Sequence, residues 1–223
     1  MDSHKTLRIR NLAYSFKDGG TLLSSISLEI KAGETVVVFG GNGSGKSTLL
    51  RCIAGLLPFA EGEVTIGEKS GDTLRSHIGL VMQNPEHQMI APTVEEEIAL
   101  GLEFRGMERN EMLQRVEQVL NKYSLQELRE RAPDTLSGGQ MQRVALAAIA
   151  ALEPEFLLFD EPDSLLDAPS RRDFLNAVSL LGQEIGMLWA CADADRLPRA
   201  DRHYRLAKGE AREVTVEQIL QAD

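Results

Sequence analysis

The sequence predicts an α/β fold with a parallel central sheet, and three observations support this prediction. The run Glu34–Phe39 is apolar and β-branched, which is typical of a buried strand. A glycine-rich segment follows it, and Ser47–Leu57 then carries apolar residues at helical spacing and ends at Pro58. Phe156–Glu161 is a second apolar run that ends in two carboxylates. Its apolar residues would cover both faces, so it is expected to be a central parallel strand.

The remaining elements follow from the same patterns. Leu7–Phe16 and Leu22–Ile30 are predicted to form an antiparallel hairpin, because the turn Lys17–Gly20 separates them. Alternation and apolar runs then predict the later strands Glu63–Ile66, Ile78–Met82, Met187–Cys191 and His203–Leu206. Two further helices are predicted over Ser170–Leu181 and after Thr215, which forms a capping box with Gln218.

Residues 86–151 differ in character, because they are charged, helical and almost free of strand patterns. Thr93 and Glu96 predict a capping box, and the helix that it begins runs to about Phe104. Glu108–Tyr123 carries an apolar stripe of Met112, Val116, Val119 and Leu120. We therefore expect one domain, 1–223, in which 1–85 and 152–223 form a core with a β subdomain and 86–151 form an inserted helical subdomain.

Composition sets broad bounds on function. The chain has 223 residues, 43% of them hydrophobic and 26% charged, as in ordinary globular proteins. A net charge of -10 argues against a general nucleic-acid coat, which needs a basic surface. The cysteines, Cys52 and Cys191, are expected to be free thiols in a reducing compartment. Residues 1–5 do not resemble a signal peptide and no run is long enough to span a membrane, so a membrane role would require a partner.

The glycine-rich segment Gly40–Ser47 fits the phosphate-loop pattern G-x-x-x-x-G-K-[ST]. Its glycines let backbone N–H groups point into one concavity at a helix N-terminus, which favours phosphate. Lys46 can reach the β- and γ-phosphates, and the Ser47 hydroxyl can ligate Mg²⁺. The predicted nucleotide contacts are Gly40, Asn42, Gly43, Ser44, Gly45, Lys46, Ser47 and Thr48.

Further motifs follow the phosphate loop in a fixed order. Gln83 follows a strand, Leu136–Gln140 reads Leu-Ser-Gly-Gly-Gln, and the strand ending at Asp160 continues as Glu161-Pro162. Together these motifs resemble an ABC-type ATPase over nearly the whole chain. The resemblance implies a P-loop NTPase fold of the ABC-ATPase type, with a RecA-like core, an N-terminal antiparallel β subdomain and an inserted α-helical subdomain. It also implies ATP and Mg²⁺ as cofactors.

The resemblance implies a role for each catalytic candidate. Asp160 matches the aspartate that helps to hold Mg²⁺ through its water shell. Glu161 matches the general base that polarises the attacking water, and Lys46 the phosphate-binding lysine. Gln83 matches the glutamine that senses Mg²⁺ and this water, so the implied metal-site residues are Ser47, Gln83 and Asp160. Adjacent carboxylates at the carboxyl end of a strand suit this chemistry, because that edge faces the phosphate loop.

Other matches imply a head-to-tail dimer with two composite sites. The signature motif would close over the γ-phosphate held by the opposite subunit, and its matching residues are Ser137, Gly138, Gly139 and Gln140. Asp167 lies in a segment that resembles the D-loop and would reach toward the partner's phosphate loop. Phe16 lies where the family has its adenine-stacking aromatic residue, with Tyr14 as the neighbouring candidate.

Two positions depart from the family pattern. Ala192 stands where the family usually has a histidine that contacts the γ-phosphate, and loss of one such contact commonly costs ~10²–10³ in rate. The chain's histidines lie elsewhere, at His4, His77, His87 and His203. Asp163 stands where the family often has threonine, and the sequence suggests no role for it.

The segments Gln83–Gln88 and Ala91–Ala99 are similar to the ATPases of energy-coupling-factor transporters. That similarity implies uptake of a metal ion such as cobalt or nickel, or of biotin or another vitamin. It also implies a second ATPase subunit, identical or homologous, and a transmembrane coupling subunit. The chain would then be peripheral, at the cytoplasmic face of the cell membrane, and would not bind nucleic acid.

Three functional hypotheses follow from the sequence. The first is an ATP-hydrolysing subunit of an energy-coupling-factor importer. The second is a nucleotide-binding partner that hydrolyses little ATP itself and completes another subunit's site, which Ala192 favours and Glu161 opposes. The third is a soluble ABC ATPase outside transport, which the acidic net charge and the lack of a second cassette oppose.

Overall fold

The computed structural model describes residues 5–221. Its strands are β1 (Thr6–Ser15), β2 (Thr21–Lys31), β3 (Thr35–Phe39), β4 (Glu61–Ile66), β5 (Lys69–Ser70), β6 (Ile78–Val81), β7 (Phe156–Asp160), β8 (Gly186–Cys191), β9 (Arg202–Ala207) and β10 (Glu210–Val214). Its α-helices are α1 (Lys46–Ile53), α2 (Val94–Phe104), α3 (Arg109–Lys122), α4 (Gly138–Ala151), α5 (Ala168–Ser179) and α6 (Val216–Leu220). The mixed α/β architecture confirms the predicted fold class.

The chain divides into two compact units. The first runs to Leu80 and includes Glu155–Glu161 and the chain from Gln183 onward. The second consists of Val81–Pro154 and Pro162–Gly182. The first unit carries the phosphate loop and nearly all of the strands, and the second carries α2, α3, α4 and α5.

One sheet of the first unit is antiparallel, with strand order β2-β1-β4-β5. The predicted hairpin is confirmed, since β1 pairs antiparallel with β2 and Leu7 lies opposite Ile30. The turn closes where the Phe16 N–H donates to the Gly20 carbonyl oxygen at 2.8 Å. Apolar residues at alternate positions of both strands point into the core, as a one-sided sheet requires.

The other sheet has strand order β10-β9-β3-β8-β7-β6, and β3 pairs parallel with both β8 and β9. The central strand predicted over Phe156–Glu161 is confirmed as far as Asp160, because β7 lies between β8 and β6 and all of its residues are buried. β10 was not predicted. It is a polar, mostly exposed strand whose pairing with β9 alone defines it.

Helix boundaries differ from the prediction where capping decides them. Helix α1 ends at Ile53 rather than Leu57, because Gly55 adopts φ +71° and its N–H bonds back to the Cys52 carbonyl oxygen at 3.0 Å. Helix α5 begins earlier than predicted, because Asp167 caps its first turn.

The helices of the second unit follow the predicted patterns. Thr93 caps α2 by accepting from the Glu96 N–H, and the Glu96 carboxylate accepts from the Thr93 hydroxyl at 2.9 Å. The predicted stripe on α3 is largely buried, with Val116, Val119 and Leu120 inside and Met112 at the boundary. The stripe is therefore core packing.

Membrane-spanning segments were not expected from the sequence. Within residues 5–221, none of the helices combines the length and the apolar character that crossing a membrane requires. The expectation for the N-terminus falls mostly on residues 1–4, which lie outside the described part of the chain.

An ion pair links the two sheets of the first unit. Arg202, at the start of β9, donates from Nε to Glu34 Oε1 at 2.6 Å and from Nη2 to the Glu29 carbonyl oxygen of β2 at 2.6 Å. Glu34 also accepts from the Lys31 N–H at 2.8 Å. Burial raises the pKa of Glu34, but the hydrogen bonds from Arg202 and from the Lys31 N–H, together with the Arg202 charge, outweigh this and leave that pKa below its ordinary 4.5.

We predict that Glu34→Gln lowers the free energy of unfolding at pH 7 by about 1–3 kcal/mol, because it removes one partner of a part-buried pair. A lowered carboxylate pKa stabilises the fold above the unfolded-state pKa and loses that effect as pH falls through the folded-state pKa. The difference between parent and variant should therefore shrink below about pH 4. Urea unfolding at pH 7 and below about pH 4 measures this difference in the free energy of unfolding. The control is Glu210→Gln, which breaks an exposed ion pair with Arg212. An equal loss at both pH values would contradict the assignment.

Candidate functional site

The phosphate loop joins the carboxyl end of β3 to the first turn of α1. Two of its glycines are required by the surroundings. A side chain at Gly40 would place its Cβ 2.5 Å from the Leu206 carbonyl oxygen, and Gly45 adopts φ +103°, where other residues are strained. The loop thus closes tightly around the start of α1.

Lys46 is the first residue of α1, and its side chain is only 4% exposed. Its ammonium donates to the Gly40 carbonyl oxygen at 2.6 Å and the Gly41 carbonyl oxygen at 3.0 Å. It also lies 3.1 Å from Glu161 Oε1. A buried ammonium requires such oxygen partners, and these hold the charge inside the loop.

Ser47 and Asp160 lie side by side. The Ser47 hydroxyl donates to Asp160 Oδ1 at 2.7 Å across the gap between α1 and β7. Burial raises the pKa of Asp160, although the Ser47 hydrogen bond and the Arg51 charge partly oppose this effect. A hydroxyl and a carboxylate are hard oxygen donors of the kind that Mg²⁺ prefers. These residues therefore fit the metal that the sequence implies.

Glu161 follows β7 directly and has φ +47°, which is uncommon for a residue other than glycine. Its N–H donates to the Ala190 carbonyl oxygen at 3.3 Å, and its side chain faces Lys46. Residues held in such conformations cluster at functional sites. The sharp turn brings this carboxylate to the loop instead of continuing the strand.

Two further observations show that the loop fits phosphate. The Ser44 hydroxyl oxygen is buried and has no hydrogen-bond partner in the protein. Gly45 supplies no side-chain cap, so the first-turn N–H groups of α1 lack a capping acceptor. A phosphate oxygen would satisfy both. Of the other predicted contacts, Asn42 is exposed in the loop and Thr48 is half-buried in α1.

Ala192 lies at the same sheet edge as the phosphate loop. It follows β8, where Ala190 pairs with Asp160, and the Gly40 N–H donates to the Cys191 carbonyl oxygen at 3.1 Å. In the described part of this unit no histidine occupies that edge. His77 pairs with Glu155 ahead of β7, and His203 is buried opposite Val37.

Phe16 and Tyr14 stand at the end of the β1–β2 hairpin. Their rings meet edge to face, with centroids 5.6 Å apart. Phe16 is 48% exposed, whereas Tyr14 is half-buried and packs against the core. Phe16 thus retains an accessible surface on which a planar base could stack.

The predicted site residues of the second unit form their own cluster. Gln83 donates from Nε2 to the Ser164 hydroxyl oxygen at 3.1 Å. Ser137 caps α4 in a full capping box with Gln140. Gly138 is exposed, whereas a Cβ on Gly139 would lie 2.6 Å from Ser170 Cβ.

The segment after Pro162 contains Asp163 and Asp167, which have different environments. Asp167 is exposed and caps α5, and bonds from Ser170 lower its pKa. Asp163 is 3% exposed and accepts from Arg171 Nε at 2.6 Å. The acid to which the sequence assigned no role is therefore the buried half of an ion pair with a partly exposed arginine.

Sequence reasoning missed two residues that organise this cluster. Gln142 is fully buried and donates to the Met82 carbonyl oxygen at 2.9 Å, which attaches α4 to the residue before Gln83. Arg171 pairs with Asp163. Gln142 could have been identified in the sequence, because it is a polar residue on an apolar helix face. No sequence feature marked Arg171.

Comparisons with known proteins found relatives of this chain in sequence and in structure. The sequence profile of the family described as "ABC transporter" matches residues 23–164. The energy-coupling factor transporter ATP-binding protein EcfA1 of Latilactobacillus sakei is 41% identical over 94% of this chain and 78% of its own length. EcfA1 of Halalkalibacterium halodurans is 40% identical over 92% of this chain and 77% of its own. Among solved structures, CbiO1 from Clostridium perfringens, described as part of the ABC transporter complex CbiONQ, superposes with a TM-score of 0.85 at 27% identity. That match covers 99% of this chain and 92% of CbiO1.

Proposed function

Since this chain belongs to the ABC transporter family of ATP-binding proteins, we propose that it is the ATP-hydrolysing subunit of an energy-coupling-factor importer. Such an importer takes up a metal ion or a vitamin. The observation that carries the proposal is the group of four side chains in the first unit, where Lys46 meets Glu161 and Ser47 meets Asp160. This group combines a cation that can bind phosphate, oxygen ligands for Mg²⁺ and a carboxylate that can orient the attacking water.

Each side chain has a role in that reaction. Lys46 binds the β- and γ-phosphate oxygens of ATP, and the loop amides share their charge. Ser47 and Asp160 would hold Mg²⁺, which would neutralise phosphate charge. The part that the sequence implies for Gln83, which lies in the second unit, stays a prediction. Glu161 orients the attacking water and accepts its proton. Phe16 stacks on the adenine.

The second unit serves a second ATPase subunit. Ser137 and Gly138 are exposed at the N-terminus of α4, which suits contact with a phosphate held elsewhere. Leu165, beside Asp167, is 68% exposed although it is apolar. We infer that these surfaces face a second copy or a homologue in a head-to-tail dimer, so that each site takes residues from both subunits.

A groove in the second unit suits a transmembrane partner. Its volume is about 340 Å³, and its lining includes Met89, Ile90 and Met141 with the acidic Glu86 and Asp134. Ile90 is 74% exposed. The groove follows the Gln83 segment directly in the chain, so an apolar, basic helix seated there would connect transport to nucleotide binding. The protein would then be peripheral, at the cytoplasmic face of the membrane.

We predict that the purified chain hydrolyses ATP with Mg²⁺ and that Glu161→Gln lowers kcat by at least about 10²-fold, because the amide cannot accept the water's proton. Steady-state phosphate release measures both proteins. Glu184→Gln, an exposed acid distant in sequence, is the control and should keep parental activity. Residual activity equal to the parent in Glu161→Gln would contradict the assigned base.

Ala192 favours a second candidate function, that of a nucleotide-binding partner with little hydrolysis of its own. Alanine cannot donate a hydrogen bond to a γ-phosphate oxygen, and this position lies at the edge that carries the loop. In that case the chain would bind ATP and complete another subunit's site through Ser137 and Gly139. The relatives are named as transporter subunits, which supports the two transport hypotheses over the soluble alternative.

We predict that Ala192→His raises kcat by about 10-fold or more, because an imidazole there adds a transition-state hydrogen bond. The same steady-state assay measures it. Ala194→His, two residues further along the same segment, is the matched control and should not gain activity. Equal rates for Ala192→His and the parent would contradict the claim that the missing histidine limits turnover, since its loss would then be compensated elsewhere or irrelevant.

A further inference from the structure

Asp163 is the feature of the second unit that the proposed roles leave unused. Its side chain is 5% exposed, and a buried carboxylate is tolerated only when it is paired and hydrogen-bonded. Its partner Arg171 lies in the first turn of α5 and donates from Nε at 2.6 Å. The buried aspartate is thus paired with an arginine of α5.

Arg171 holds both ends of the segment 163–167, which we call the 163–167 loop. Its side chain binds Asp163 at the start, and its backbone N–H donates to the Asp167 carbonyl oxygen at 2.8 Å at the end. Within the loop, the Leu166 N–H donates to the Asp163 carbonyl oxygen at 3.2 Å. The loop is therefore closed on one residue of α5.

The middle of the 163–167 loop meets functional residues. The Ser164 hydroxyl oxygen accepts from Gln83 Nε2 at 3.1 Å, and Leu165 is 68% exposed. The first turn of α5 also packs against the start of α4, where Gly139 leaves only enough room for Ser170. One anchored loop thus touches Gln83, while the helix that anchors it touches the signature motif.

We propose that Asp163 and Arg171 are a positioning pair that holds the 163–167 loop with Ser164 bonded to Gln83 and with Leu165 presented to a second ATPase subunit. The contact of Leu165 with a second subunit rests on the proposed dimer. The anchoring of the 163–167 loop by Asp163 and Arg171 does not. A loop ordered in advance loses less conformational freedom when the subunits meet. A displaced loop would misplace groups that act on the partner's nucleotide, and misplacement near 1 Å can cost ~10² in rate.

Backbone hydrogen exchange of the purified chain, without any partner subunit, tests whether Arg171 anchors the 163–167 loop. Arg171→Met should increase exchange about tenfold in peptides that span 162–171 and 81–88, and should leave peptides that span 40–48 unchanged. The matched control is Arg172→Met, which removes the neighbouring, exposed arginine of the same helix and should change neither. Arg171→Met removes the arginine partner of a buried carboxylate and could destabilise the fold for that reason alone. The double variant Asp163→Asn, Arg171→Met removes the charge as well, and this folded comparison should show the same loss of protection. Parental exchange in the double variant would overturn the proposal.

Steady-state ATP hydrolysis tests whether the Asp163–Arg171 pair positions the 163–167 loop for catalysis. Arg171→Met should lower kcat roughly 10–100-fold with little change in KM for ATP, because the phosphate loop is untouched. Arg171→Lys, which keeps the charge, should recover part of the loss. Loosened exchange with parental kcat would refute the positioning role. A parent chain without turnover would contradict the proposed hydrolysis instead, and the exchange result would then decide the proposal alone.

Discussion

The conformation of the phosphate loop and of the chain after β7 depends on the burial of one ammonium group. Lys46 is almost inaccessible, so its charge must be met by protein oxygens. Two carbonyl groups of the loop, at Gly40 and Gly41, and the Glu161 carboxylate meet it. The loop must therefore curve back over α1, which requires glycine where other side chains would collide. The chain after β7 must likewise turn sharply enough to bring Glu161 to the same point.

The parallel sheet makes this convergence possible. β3, β8 and β7 are adjacent and parallel, so the loop, Ala192 and the two carboxylates all follow strand ends at one edge. Burial there raises the pKa of Asp160, and the Ser47 hydroxyl orients that carboxylate. In the second unit, side-chain caps fix where the functional helices begin. Ser137 caps α4, which carries the signature motif, and Asp167 caps α5, which carries Arg171.

Short-range sequence patterns predicted those parts of the site whose structure depends on neighbouring residues. The strand, loop and helix around Lys46 and the apolar strand before Asp160 follow from short-range composition. The strand β10 could not be predicted, because its polar residues form a strand only by pairing with β9. The bond from Gln142 to Met82 joins residues 60 positions apart, and the pairing of Asp163 with Arg171 depends on how α5 packs. Such contacts arise from tertiary structure and leave little trace in the sequence.

Equilibrium binding of Mg²⁺-ATP to the parent and to Lys46→Ala tests most directly whether this loop binds phosphate. Loss of a charge-assisted contact of about 1.5–3 kcal/mol should weaken affinity by about 10- to 150-fold. Lys122→Ala, which removes an ammonium 5.8 Å from the Tyr123 ring centroid on α3, should bind as the parent does. Thermal unfolding of each variant confirms that it is folded. Unchanged affinity in folded Lys46→Ala would contradict the central claim that this buried cation is the nucleotide-phosphate site.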